Sequence, residues 1–292
     1  MCVICLYLFD AEESLMKVLI FTVNYHNDHL IDRFVSSMIE SKNKINDVEL
    51  ELNILDNSGK NSGELKNLND SLTQHDIDFK IHTLGFNSGY FGGLKLCQDL
   101  VSAREDVDIV IYCNCDLYFD ISFFSNLSKK KNKKHAMIAP AIITIGGDVD
   151  QNPKYMSRLS FSKLKFLERI YSNSLLFTTH DILSKVKEWI FKRLKREADT
   201  FEAGTEIYAP HGAVFVFTDI GFFKDLPEFE CFLFGEEIFI AEEAVARDKT
   251  IVYEPSLAVY DERHASISLV GVDKRRKFHA DSIEYILSRY YR

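Results

Sequence analysis

Four apolar runs of strand length divide the first 113 residues: 18–23 (VLIFTV), 50–55, 79–83 and 109–113. The stretches between them are long enough for helices, and 30–39 carries its apolar residues at helical spacing. A polar helix is expected from the turn at 56–59 to about residue 74, and another from a Gly-rich turn to about residue 103. Strands alternating with helices build a mainly parallel sheet covered on both faces. In such sheets ligands bind at the carboxyl ends of the strands, which directs attention to the loops that follow them. Beyond residue 200, 213–218 (AVFVFT), 250–254 (TIVYE) and 256–260 read as further strands and 274–291 as a terminal helix.

With 292 residues, 46% hydrophobic and 27% charged, the chain resembles an ordinary well-cored protein. The expected organisation is an N-terminal extension over 1–15 and one α/β domain over 16–292, interrupted by a helical insertion at about 154–200. The apolar start, 1–9, is too short to span a bilayer, lacks a basic lead and is followed by Asp10, Glu12 and Glu13. A net charge of −9 argues against broad nucleic-acid binding, which needs clustered cations to neutralise phosphates. The six cysteines include no matched pair of C-x-x-C motifs, so zinc is not expected. Cys113 and Cys115 lie in and just after a strand-like run and read as buried thiols, which suits a reducing cytoplasm. The segment 154–196 departs from the rest, with eleven basic residues against three acidic. Two readings stand for it: an insertion whose apolar face packs on the core, or a helix on the surface of an anionic membrane.

The strand ends carry the polar residues. The first run leads through Thr22 to Asn24 and Tyr25, and the second into Asp56-Asn57-Ser58-Gly59, where side chains can read a base and ribose by hydrogen bonds. The loop from Phe86 to Gly93 places Gly89, Gly92 and Gly93 about a helix start, where backbone can approach an anion closely. It is neither G-x-G-x-x-G nor a Walker loop. The fourth run ends in Asn114-Cys115-Asp116, a carboxylate suited to a hard divalent cation bound with a diphosphate. Glu236 and Glu237 follow an aromatic run, where an apolar wall can separate the pKa values of two neighbouring acids. Glu242-Glu243 reads instead as a solvated helix face. Asp261 to Ser266 follows the last strand and holds His264.

In order and spacing these motifs resemble the family 2 glycosyltransferases of the GT-A (Rossmann-like) fold, especially the rhamnosyltransferase-like branch, over about residues 17–268. The resemblance implies that Thr22, Asn24, Asp56 and Ser58 bind the nucleoside and that Asn87, Gly89 and Gly92 lie along the donor. Asn114 and Asp116 match the family's Asn-x-Asp metal motif, with Asp116 as principal ligand to Mn2+ or Mg2+. His211 and Gly212 would border the acceptor. The family's base comes from a Glu-Asp or Asp-Asp pair; here it is Glu236-Glu237, with Glu237 the first choice and Glu236 the second. The family's downstream His follows the strand directly, where this chain has Asp261, so His264 takes the metal role. The implied reaction is inverting transfer from a UDP- or dTDP-sugar to a glycan or lipid-linked acceptor. Its setting would be surface polysaccharide synthesis, in the cytoplasm or at the inner face of the membrane.

Two other readings are a nucleotidyltransferase and a nonenzymatic nucleotide-sugar-binding module. The first would want a basic residue after the first strand to hold a triphosphate, where the chain has Asn24-Tyr25-His26-Asn27. The second leaves the acidic pair behind the aromatic run without a role.

Overall fold

The computed structural model describes residues 15–59, 72, 74–75, 77–130, 134–146, 149–193, 201–262 and 270–291. The N-terminal extension as far as residue 14, the body of the polar helix expected before residue 74, and His264 lie outside them.

Among the described residues nine strands form one sheet: β1 (Met16–Asn24), β2 (Val48–Asp56), β3 (Asp78–Thr83), β4 (Ile109–Asn114), β5 (Leu117–Phe119), β6 (Met137–Thr144), β7 (Glu206–Ile207), β8 (Val214–Phe217) and β9 (Ile251–Asp261). Their order is β3-β2-β1-β4-β8-β6-β9-β5, with β7 on β9. The four strands expected from the first half are the parallel half of this sheet. β8 runs antiparallel between β4 and β6, which makes β6 and β9 parallel to β4. β5, β6 and β7 had not been read from the sequence. β5 and β7 have only three and two residues, too few for a periodic signal.

The runs 250–254 and 256–260 are one strand. The register with β6 jumps from Pro140–Glu254 to Ala141–Ala258, so residues 255–257 bulge out. Pro255 has no N–H to give a ladder, which explains why the bulge falls there.

Alternate residues of β1 enter opposite cores. Val18 and Ile20 pack with Ile31, Phe34, Val35 and Met38 of α1 (Asp28–Lys42). Leu19 and Phe21 face the other side, with the helices α2 (Leu94–Ser102), α6 (Ile220–Lys224), α7 (Glu236–Ala246) and α8 (Val272–Tyr290). A short helix, α3 (Phe123–Leu127), adds Phe123 and Phe124 to the first core. The insertion consists of α4 (Phe161–Ser172) and α5 (Ser174–Arg193).

Glu242-Glu243 is not a solvated face. Both carboxylates are buried. Glu242 receives Nε and NH2 of Arg158 at 2.8 and 2.7 Å and the hydroxyls of Tyr208 and Tyr291 at 2.6 and 2.7 Å. Glu243 pairs with Arg247 and accepts from Tyr290. The partners come from residues 158, 208, 290 and 291, which no local sequence pattern brings together. A charge so enclosed is tolerated because each oxygen is paired.

Candidate active site

Parallel pairing aligns the ends of β1 and β2, Asn24 against Asp56. Asn24 Nδ2 donates to Asp28 Oδ1 at 2.6 Å and to Asp56 Oδ1 at 3.4 Å, while its Oδ1 accepts from Asn27 N at 3.1 Å. Asn24 therefore fixes the turn into α1. Asp56 Oδ1 also accepts the Ser58 amide at 3.0 Å, and Ser58 Oγ accepts that of His26 at 2.9 Å. The remaining oxygen of Asp56, Oδ2, is buried without a hydrogen-bond partner. A carboxylate oxygen left so at a strand end is an acceptor awaiting a donor. Thr22 is fully buried opposite Cys113 of β4.

The Gly-rich loop is joined to its neighbours on both sides. Asn57 donates Nδ2 to Gly89 O at 2.9 Å and accepts from Ser88 Oγ at 3.0 Å. Asn87 Oδ1 accepts the Gly89 amide at 3.0 Å, a local turn bond. Gly89 has φ +84°, and a Cβ there would meet Phe232 O at 2.0 Å. The adjacent Tyr90 amide donates to that same oxygen at 3.2 Å. At Gly92 a Cβ would lie 2.3 Å from that of Ser88. The loop thus packs by its backbone against the segment that leads to Glu236.

Asp116 lies between β4 and β5, and pairing of Leu117 with Asp261 sets the end of β9 beside it. Burial, then the charge of Asp261, pushes the Asp116 carboxyl up to about 6, and its Oδ1 is buried without a partner. Two carboxylates brought together with an unsatisfied oxygen fit a divalent cation, whose charge would reverse that shift. Among the described residues no group of three His, Cys, Asp or Glu stands together as a metal site. Asn114 holds the strand end through its amide, which donates to Ala213 O at 3.0 Å. Arg33, Tyr118 and Glu262 line a cleft with Asp116; the Arg33 guanidinium pairs with Glu262 and lies 4.1 Å from the centre of the Tyr118 ring.

The acidic pair opens α7. Phe234 and Gly235 both have positive φ, +69° and +85°, an unusual conformation for Phe that marks a tightly constrained turn. The Phe234 ring stacks on His279 at 3.8 Å, and His279 stacks on Tyr171 at 4.8 Å. Burial holds the imidazole at about 4, hence neutral. Glu236 points into the protein; burial and the charge of Glu237 raise it to about 8. Glu237 is more accessible, with Oε1 4.0 Å from Lys154 Nζ. Gly212 leaves room beside it, since a Cβ at 212 would come within 3.2 Å of Oε1. His211 is held by its amide, which donates to Asn152 Oδ1 at 2.6 Å, and its Nδ1 accepts from Ala213 N at 3.2 Å, so any ring proton sits on Nε2 in the neutral form. The Tyr90 ring packs on Phe91 and Tyr112. Its hydroxyl is buried without a partner, and it is raised by burial, with Glu236 and Asp116 both contributing.

Thr22, Asn24, Asp56, Ser58, Asn87, Gly89, Gly92, Asn114, Asp116, His211, Gly212, Glu236 and Glu237 thus come from strand ends, loops and a helix start at one edge of the sheet. The sequence reading did not select Arg33, Tyr90, Lys154 or Asp261. Arg33 lies within the helix expected over 30–39 and Lys154 within the basic segment; only the fold brings them to this edge.

No protein-family model matches the chain, and no curated protein matches it. Solved structures do. The chain is similar to S. aureus TarS 1–349, with a TM-score of 0.52 and 13% identity over 84% of this chain and 60% of that one. The UDP complex of the same protein gives 0.51 and 13% over the same shares. GalNAc-T7 with UDP, GalNAc and Mn2+ gives 0.51 and 13% over 95% of this chain and 50% of that one. The chain therefore spans half to three-fifths of the length of these structures, and what it shares with them is the GT-A glycosyltransferase fold.

Proposed function

We propose that this chain is a metal-dependent, inverting glycosyltransferase that moves a hexosyl or rhamnosyl group from a UDP- or dTDP-sugar to a glycan or lipid-linked acceptor. The observation that carries the reading is the placement of two kinds of carboxyl group at one sheet edge. One is Asp116, whose Oδ1 is buried without a partner, beside Asp261; the other is the more accessible Glu237 near Lys154. The likeness to TarS with UDP supports a nucleotide-sugar donor, and GalNAc-T7 with UDP and Mn2+ supports a divalent cation.

In this reading Asp56 Oδ2 accepts from the nucleoside, with Thr22, Asn24 and Ser58 shaping its pocket. The loop of Asn87, Gly89 and Gly92 lies along the donor. Asp116 and Asp261 hold Mn2+ or Mg2+, joined by His264 on the sequence pattern. When bound, the cation offsets the charge of the departing diphosphate. Glu237 takes the proton of the acceptor hydroxyl as its oxygen attacks the anomeric carbon, while His211 and Gly212 border the acceptor. Burial and the charge of Glu237 raise Glu236 to about 8, so it keeps its proton at neutral pH and does not serve as the base. The setting we assign is surface polysaccharide assembly on the cytoplasmic side of the membrane.

The test is nucleotide binding with and without manganese. Asp116→Ala should abolish the manganese-dependent part of UDP affinity in calorimetry while the thermal transition remains cooperative. Unchanged metal-dependent affinity would remove Asp116 from the site. Release of pyrophosphate from a nucleoside triphosphate and a sugar 1-phosphate, with no nucleoside diphosphate released from nucleotide sugars, would favour a nucleotidyltransferase.

A further inference from the structure

A packed amphipathic helix hides its apolar stripe, but the described part of α5 shows the opposite pattern. Leu175, Leu176, Ile182, Leu183 and Val186 recur at steps of three, four and seven, so they form one stripe along the helix. That stripe faces outward: Leu175 is 73% exposed, Leu183 67% and Ile182 54%. The inward side is carried by Phe177, which is buried against Tyr171 and His279, and by Asp181, which pairs with Arg275 of α8 at 3.5 Å. From Leu175 to Val186 the apolar stripe is therefore exposed, whereas α4 packs Leu164 into the core.

The start of the helix is well defined, since Asn173 Oδ1 accepts the amides of Leu175 and Leu176 at 3.0 and 3.1 Å. The preceding α4 leaves Phe161 and Phe166 exposed between Lys163, Lys165 and Arg169, which are also exposed. In sequence, Lys185, Lys187, Lys192, Arg193, Lys195 and Arg196 extend the basic character, inside a chain of net charge −9. Exposed aliphatic and aromatic side chains interleaved with cations complement an anionic bilayer, which takes the former into its acyl boundary and the latter at its headgroups. Among the described residues no helix is long and apolar enough to cross a membrane, so contact would be with its surface.

We propose that the α4–α5 insertion docks this protein on an anionic lipid surface through the stripe from Leu175 to Val186, with the lysines and arginine of α4 at the headgroups. The inward side of the same helix reaches the candidate site by ring contacts. Phe177 packs on Tyr171, Tyr171 stacks on His279, and His279 stacks on Phe234, two residues before Glu236. The docked insertion therefore sets the acidic loop close to the lipid–water interface, where the sugar of a lipid-linked acceptor would be found. The docking itself rests on the exposed stripe and is independent of the proposed reaction.

Co-sedimentation of the full chain with phosphatidylcholine vesicles, with and without phosphatidylglycerol, tests it without any donor or turnover. The wild type should sediment with the anionic vesicles at low salt and less at high salt. Leu175→Glu, Ile182→Glu and Leu183→Glu together should weaken that binding at least about tenfold, since each removes an inserted aliphatic side chain. Should the triple variant fail to fold, Lys163→Glu with Arg169→Glu supplies the measurement by weakening the preference for anionic vesicles. A wild type that stays in the supernatant at low salt, equal binding to uncharged vesicles, or a folded triple variant that binds like wild type would each overturn the proposal. So would wild-type self-association in sedimentation velocity that the triple variant abolishes while vesicle binding persists, because a second copy would then be the occupant.

Discussion

Gly89→Ala should uncouple the Gly-rich loop from the acidic one. Gly89 has φ +84°, and a Cβ built there lies 2.0 Å from Phe232 O and 2.8 Å from its carbonyl carbon. Ordinary contact begins at 3.4 Å, so the Phe232 backbone must retreat by more than an ångström. It cannot do so and still accept the Tyr90 amide at 3.2 Å. The left-handed backbone costs an alanine about 1–2 kcal/mol, the lost hydrogen bond about 1 kcal/mol, and the enforced shift about 1–3 kcal/mol. Together these give about 3–6 kcal/mol, or a fall in Tm of roughly 6–12 °C at about 2 °C per kcal/mol for a chain of this size. Gly85→Ala is the control: its φ is +76°, yet nothing lies within 4 Å of its Cβ. It should cost only the backbone part, about 1–2 kcal/mol, and leave UDP affinity as it was. Paired thermal melts and UDP titrations measure both. Equal falls in Tm for the two variants would refute the claim that the two loops are locked together at Phe232.

Glu237→Gln should bind UDP as wild type does and transfer sugar at least about 10²-fold more slowly; near-normal turnover would move the base to Glu236. Glu236→Gln should change how stability depends on pH. In the unfolded chain Glu236 ionises at its ordinary 4.5, but in the folded chain at about 8. Between those values only the folded chain keeps the proton, so this group makes the wild type lose stability as pH rises through the window. Melts from pH 5 to 8.5 should therefore show the variant gaining on wild type toward alkaline pH, and a gap constant with pH would refute the assignment.

What was legible in the sequence was local. The runs at 18–23, 50–55, 79–83 and 109–113 are apolar enough to be buried strands wherever the chain takes them, and their alternation with helices foretold the parallel half of the sheet. Once those strands are parallel, Asn24, Asp56, the Gly-rich loop and Asp116 must gather at one edge, so these candidates could be named from order alone. The other half depended on contacts between distant segments. Glu242-Glu243 and Glu236-Glu237 are both acidic pairs in one helix, and the local pattern that singles out the second misplaces the first on a solvated face. Arg158, Tyr208, Tyr290 and Tyr291 enclose the first pair, whereas Glu236 turns into the protein and Glu237 faces Gly212 and Lys154. Asp261 reaches Asp116 only because β5 pairs antiparallel with β9. In α5 the sequence supplies an apolar stripe but not the direction it faces. Phe177, anchored between Tyr171 and His279, sets that direction by turning the opposite side of the helix inward. Hydrophobic periodicity fixes which side chains share a face; which face is covered is decided by what the rest of the chain can pack against it.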